Sequence, residues 1–141
     1  MLLLTKLLID CCLFMLAWLV QVIIYPSFQY TDVQKLSFWH NRYQRLISYF
    51  VLPLMLSELI ISFYYTLYDF SIVHLTHSGL VIIIWLSTFL HAVPVHQNIE
   101  NQSNTEENIR KLVKVNTLRT LLWTVLLILS ATELYTTFIK V

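Results

Sequence analysis

The chain has 141 residues, of which 57% are hydrophobic and 12% charged, and its formal net charge is +1. A soluble domain carries roughly 25% charged residues; half of that is too little to coat a water-facing surface, and a near-neutral total excludes the basic footprint of a nucleic-acid partner. A single glycine rules out a phosphate-cradling loop or a dinucleotide fingerprint.

A helix crosses the hydrocarbon core with about 20 mostly apolar residues. Four segments qualify: residues 2–24, 46–68, 71–93 and 117–139. The first has no basic start, contains Asp10 and lacks a small-residue cleavage site, so it reads as a retained span, not a signal peptide. Cys11 and Cys12 are neighbours within it and point about 100° apart on a helix, which argues against a bridge. Residues 25–45 read as an amphipathic interfacial helix or a cytosolic extension of span 2: Thr31 and Gln34 make a capping box, and Val33, Leu36, His40, Tyr43 and Ile47 recur at helical spacing. Residues 69–71 form a tight hairpin. Residues 94–108 are the polar loop, in which Thr105, Glu106 and Glu107 cap a helix that runs on into span 4. The expectation is an all-α fold: one integral membrane domain over residues 1–141, built as an antiparallel bundle of four transmembrane helices.

Orientation follows from the basic residues. The two longer connections, with their helix ends, carry Lys35, Arg42, Arg45, Arg110, Lys111, Lys114 and Arg119, against Lys6 and Lys140 on the other face. By the positive-inside rule, connections 25–45 and 94–116 are cytosolic and both termini lie outside.

Ionisable groups in hydrocarbon are costly and must pair or turn inward. Asp10, Glu58, His77 and Glu133 fall at similar depth in the outer half, one per helix, with His74 one turn from His77. Such a set suits a metal ion or a proton relay. The simpler alternative pairs Asp10 with Lys6 at i,i+4 and lets Glu133 reach the interface. A second layer lies at the inner face. Asn116, Arg119, Thr120 and Trp123 form one stripe of span 4; Trp85, Thr88 and His91 form another on span 3, followed by His96; Trp18, Gln21 and Tyr25 do the same on span 1. This layer is rich in donors and suits a carboxylate, phosphate or quinone-like oxygen. Arg42, Arg45 and Lys114 read more simply as headgroup anchors. The sequence requires no cofactor. A metal fits the outer layer; haem fits poorly, because His40 is the sole histidine outside span 3 and the loop after it.

The stretches WLVQVIIYPSF, HNRYQRLISYFVLPLMLSE, WLSTFLHAVPVHQNI and VNTLRTLLW resemble a family of small, uncharacterised bacterial four-helix membrane proteins. The Asn116-x-x-Arg119 start of span 4 is more distantly similar to the anthrone-oxygenase-like membrane family, which is associated with oxidation of polyketide anthrones. The resemblance implies a bacterial inner-membrane location. It also implies roles for Gln21, Tyr25, Pro26, His40, Arg45, Pro53, Glu58, Thr88, Pro94, His96, Asn116, Arg119, Thr120 and Trp123.

Three functions follow from these residues. In the first, Gln21, Tyr25, Arg45, Thr88, Asn116, Arg119 and Trp123 bind a lipophilic molecule at the inner leaflet, His40 or His96 exchanges a proton, and Glu58 tunes or relays. In the second, the chain is a non-catalytic subunit of a larger membrane complex. In the third, it is a proton or metal-ion carrier acting through Asp10, Glu58, His77 and Glu133, for which homo-oligomers would be expected.

Overall fold

The computed structural model describes residues 1–30, 32–101 and 105–139. Helix α1 spans Leu2–Ser27: an α-helix over Leu2–Leu19, a π turn at Val20–Ile24 and a last α turn at Tyr25–Ser27. A 3-10 turn, Phe28–Tyr30, follows. Helix α2 is Val33–Tyr68, unbroken at Pro53. Helix α3 comprises Ile72–Ser87, a π turn at Thr88–Ala92 and Val93–Glu100. Helix α4 is Thr105–Ile139. The described residues contain no strand.

The sequence explains these boundaries. Between α2 and α3, Ser71 starts the new helix by accepting a 3.1 Å hydrogen bond from the His74 N–H at its Oγ, the usual capping arrangement. Proline clashes with the carbonyl four residues earlier and offers no N–H. For Pro26 and Pro94 those carbonyls belong to Val22 and Leu90, and both fall inside the π turns. An extra residue in the turn takes up this conflict, as prolines and π bulges do in long helices.

Two expectations are refined. Residues 25–45 are mostly an extension of the second helix, which starts at Val33. Residues 94–108 are not all loop: α3 runs through Pro94 to Glu100, because the π turn takes up the conflict with the proline ring and the chain resumes an α-helix beyond it. The Thr31–Gln34 capping box and the Thr105 and Glu106 caps lie outside the described residues and side chains.

All four helices are long and apolar enough to cross a membrane, yet only 17–28% of each apolar window is buried within the molecule. On α2 alone, Leu46, Tyr49, Phe50, Leu52, Leu56 and Ile60 are bare. That is more apolar surface than a water-soluble monomer leaves uncovered.

Inside, the molecule is layered. Lys6 meets Glu133, and His74 meets Glu133, which brings the 69–71 hairpin and both ends of the chain together at one end of the molecule. Next comes a polar layer around His77. An apolar layer of Leu13, Met55, Val81, Ile84, Trp123 and Leu126 follows. Beyond it, at the far end, a second apolar cluster includes Val20, Tyr25, Phe28, Leu36, Ile99 and Leu112. Polar pairs stitch α1 to α4 along its length: Asp10 with Ser130, Trp18 with Thr124, Gln21 with Thr117 and Asn116.

Candidate functional site

A cavity of about 540 Å³ lies between the apolar layer and the far-end cluster. It falls within the roughly 300–1,000 Å³ of small-molecule sites. Leu13, Met55 and Trp123 close one side and Val20 and Tyr25 the other. Its exposed lining residues, Asn41, Arg45 and Leu52 on α2 and Phe89 and Gln97 on α3, put the opening along the α2–α3 seam. Most of the wall is apolar, and the polar groups gather near Tyr25, Tyr43, His96, Asn116 and Arg119.

The two π turns aim this wall. Tyr25 is the first residue after one of them, and Thr88, Val93 and His96 lie in or just beyond the other. The Tyr25 hydroxyl is 3.3 Å from His96 Nε2, and His96 Nδ1 is 2.9 Å from His40 Nε2. Phe28 packs edge-on against both His40 and Tyr43, which holds the chain of rings in place. His40 does not line the cavity and is fully buried behind His96.

Asn116 lines the cavity and anchors α4 to α1: its amide donates to Gln21 Oε1 at 2.8 Å and to Thr120 Oγ1 at 3.3 Å. Gln21 in turn donates to Thr117 Oγ1 at 2.9 Å. Gln21 therefore supports the wall without reaching the cavity. Thr88 lines it but gives its hydroxyl to the Ile84 carbonyl at 2.8 Å. Arg45 stands at the mouth, 3.5 Å from Asn41 Oδ1.

Two donors remain unused. Arg119 Nε and Trp85 Nε1 are buried without a hydrogen-bond partner, and both residues line the cavity. Among the described residues no carboxylate lies within 4.0 Å of Arg119. A buried guanidinium nitrogen without a partner is costly unless something pairs with it.

The second polar layer is separate. Asp10, Glu58 and His77 come from three helices and are fully buried. Ser130 donates to Asp10 Oδ2 at 2.5 Å and sits 3.2 Å from His77 Nε2. Ser62 donates to Glu58 Oε1 at 2.8 Å and sits 3.1 Å from His77 Nδ1. The remaining oxygens, Asp10 Oδ1 and Glu58 Oε2, are buried without partners.

Of the residues singled out from the sequence, Tyr25, Arg45, Thr88, His96, Asn116, Arg119 and Trp123 meet at the cavity. Gln21 and His40 stand one residue behind it. Glu58, given two places by the sequence, meets His77 in the outer set at 3.6 Å and is separated from the histidines of the cavity by the apolar layer. Glu133 sits apart from Asp10, Glu58 and His77: Lys6 Nζ holds it at 3.0 Å and His74 Nε2 at 2.5 Å, so it turns inward and not to the interface. Lys6 pairs with Glu133 and not with Asp10, which takes its hydrogen bond from Ser130. His91 is exposed. Sequence reasoning missed Tyr43, Ser62 and Ser130. Extending the Asn116–Trp123 stripe by one heptad reaches Ser130, and Ser62 lies one turn beyond Glu58.

Comparison with protein-family models, with curated proteins and with solved structures found no match.

Proposed function

We propose that this chain is an integral membrane protein, an antiparallel four-helix bundle, that binds a small lipophilic molecule with an oxygen-rich or anionic head. Arg119 carries the reading. A half-buried guanidinium whose Nε is buried and unpartnered, lining a cavity of ligand size, is a receptor for a carboxylate, enolate or carbonyl oxygen. Trp85 Nε1 supplies a second free donor. Apolar walls and an opening between α2 and α3 suit a ligand that arrives through the bilayer. The basic residues of the far end support an orientation with that end at the cytosolic leaflet and both termini outside.

The Tyr25–His96–His40 chain favours a reactive role over simple storage. A ligand head on Arg119 would lie in the same cavity as His96, whose second ring nitrogen is backed by His40. A neutral imidazole held in a hydrogen-bonded chain accepts a proton at one ring nitrogen and releases one at the other. The expected chemistry is proton transfer to or from the bound head, as at an enol or phenol oxygen, the substrate class that the resemblance to the anthrone-oxygenase-like family also implies.

Trp85 and Trp123 line the cavity, so binding is readable by fluorescence. The protein, purified in mild detergent, is titrated with a prenylated naphthoquinone and, separately, with decanoate as competitor. The expected result is saturable quenching by the quinone, reversed by decanoate. Arg119→Ala should weaken binding more than 10-fold, from loss of one charge-assisted contact of roughly 1.5–3 kcal/mol, with the helical circular dichroism unchanged. Equal affinity in Arg119→Ala refutes the site. Co-purification of a large partner in stoichiometric amount favours a subunit of a membrane complex. Single cysteines placed in a background without Cys11 and Cys12 test orientation: labelling near residue 100 from outside the cell refutes it.

A further inference from the structure

The Asp10, Glu58 and His77 layer is not used by the cavity, and its geometry points to a ligand of its own. One donor atom from each residue lies within 4.8 Å of the other two, and all three residues are fully buried. Each carboxylate spends one oxygen on a serine hydroxyl, while the other, Asp10 Oδ1 or Glu58 Oε2, is buried with no partner. Two carboxylates with orphaned oxygens in an apolar bundle need a cation. Lys6, the nearest ammonium group by sequence, is engaged by Glu133. We propose that Asp10, Glu58 and His77 bind one divalent transition-metal ion of the zinc, manganese or iron class.

The donor set selects that class. One imidazole and two carboxylates suit borderline ions; an all-oxygen site would favour magnesium or calcium, and thiolates would favour softer metals. Cys11 and Cys12 are exposed and take no part. Donors on one zinc ion stand about 2.0–2.2 Å from it, so the three groups must draw together by an ångström or so from their present spacing. Ser62 and Ser130 fix one oxygen of each carboxylate, and one of them gives up its contact with His77 when that ring nitrogen turns to the ion, the other remaining as the ring's outer partner. Three protein ligands leave a coordination position open.

The rival occupant is a proton. Both serine hydroxyls are given to carboxylates, so the ring closes its two serine contacts by donating from both nitrogens. An imidazolium between two carboxylates would then replace the metal.

The test uses the full-length protein in detergent, stripped with a chelator and dialysed against Zn²⁺, Co²⁺ or Mn²⁺. The expected result is one equivalent of bound metal, with X-ray absorption showing a single imidazole among oxygen donors. Asp10→Asn, Glu58→Gln and His77→Gln should each lower zinc affinity by more than the roughly 10–100-fold expected of Ser62→Ala or Ser130→Ala. Failure of the wild-type chain to bind any of the three ions overturns the proposal and leaves the proton. Two imidazoles in the zinc spectrum, or binding lost in His96→Gln, moves the ion to the His40–His96 pair and also overturns it. The wild-type spectrum decides even where a variant does not fold. Quinone binding at Arg119 is measured separately and does not depend on this outcome.

Discussion

His96 and His40 lie 56 positions apart in sequence, and their rings hydrogen-bond directly, Nδ1 to Nε2, at 2.9 Å. The bond ties the inner extension of α2 to the part of α3 beyond its π turn, and the Tyr25 hydroxyl brings α1 into the same chain. His96 is the shared partner, so its loss strands both neighbours. His96→Phe should cost about 1–3 kcal/mol for each stranded buried group, clearly more than Tyr25→Phe. Denaturant or thermal unfolding in detergent checks the order; equal costs would show that the ring chain is not continuous.

Arg119 should trade stability against binding. With its Nε unpartnered and buried, the empty protein bears the desolvation cost alone. Arg119→Met, which keeps an apolar stem of similar length, is expected to stabilise the ligand-free protein by about 1–3 kcal/mol while abolishing quinone quenching. A drop in unfolding midpoint would mean that the guanidinium is already satisfied.

The Asn116–Gln21 bond at 2.8 Å joins α4 to α1 where both flank the cavity. In lipid, such interhelical hydrogen bonds couple by about 0.6 kcal/mol on average and about 1.7 kcal/mol at most. A double-mutant cycle of Asn116→Ala and Gln21→Ala should give a coupling in that range. Zero coupling would argue that each amide finds another partner.

Lys6 is fully buried and spends its charge on Glu133, 127 positions away. Lys6→Met should destabilise by about 3 kcal/mol, the lower end for a broken buried pair because Glu133 keeps 15% of its side chain exposed. Lys6→Met combined with Glu133→Gln should recover much of that loss, because no carboxylate is then left with His74 as its sole partner. Unfolding midpoints of the two variants decide it; a double variant worse than the single would contradict the pairing.

How much of this was legible beforehand depends on the range over which each signal acts. The four apolar helices were readable because hydrocarbon sets a minimum length and every residue of a span contributes to its hydropathy. The stripe Asn116, Thr120, Trp123 was also readable, because helical spacing fixes which residues share a face, and all three are buried. Partner choice was not readable. Counting residues along each helix put Asp10 and Glu133 at one depth, but small offsets between helices decide which carboxylate meets which base. Lys6 accordingly meets Glu133, while Asp10 meets Ser130. The reach of α3 was misjudged for a local reason: the span was closed where the polar run begins, and nothing in the hydropathy pattern announces the π turn that carries the helix past Pro94.

Those two π turns have a consequence for how the molecule tolerates change. Each inserts about one residue relative to an α-helix, so the half of the helix beyond it is phased independently of the half before it. Deleting a single residue within Val20–Ile24 or Thr88–Ala92 would restore a straight α-helix and leave Tyr25 or His96 on its present face, whereas straightening either turn without a deletion would swing that residue by about 100° out of the cavity wall. The apolar layer and the carboxylate layer, both set before the turns, would keep their registry. The molecule therefore has two defined points at which the loss of one residue is absorbed within a turn while both halves of the helix keep their registry.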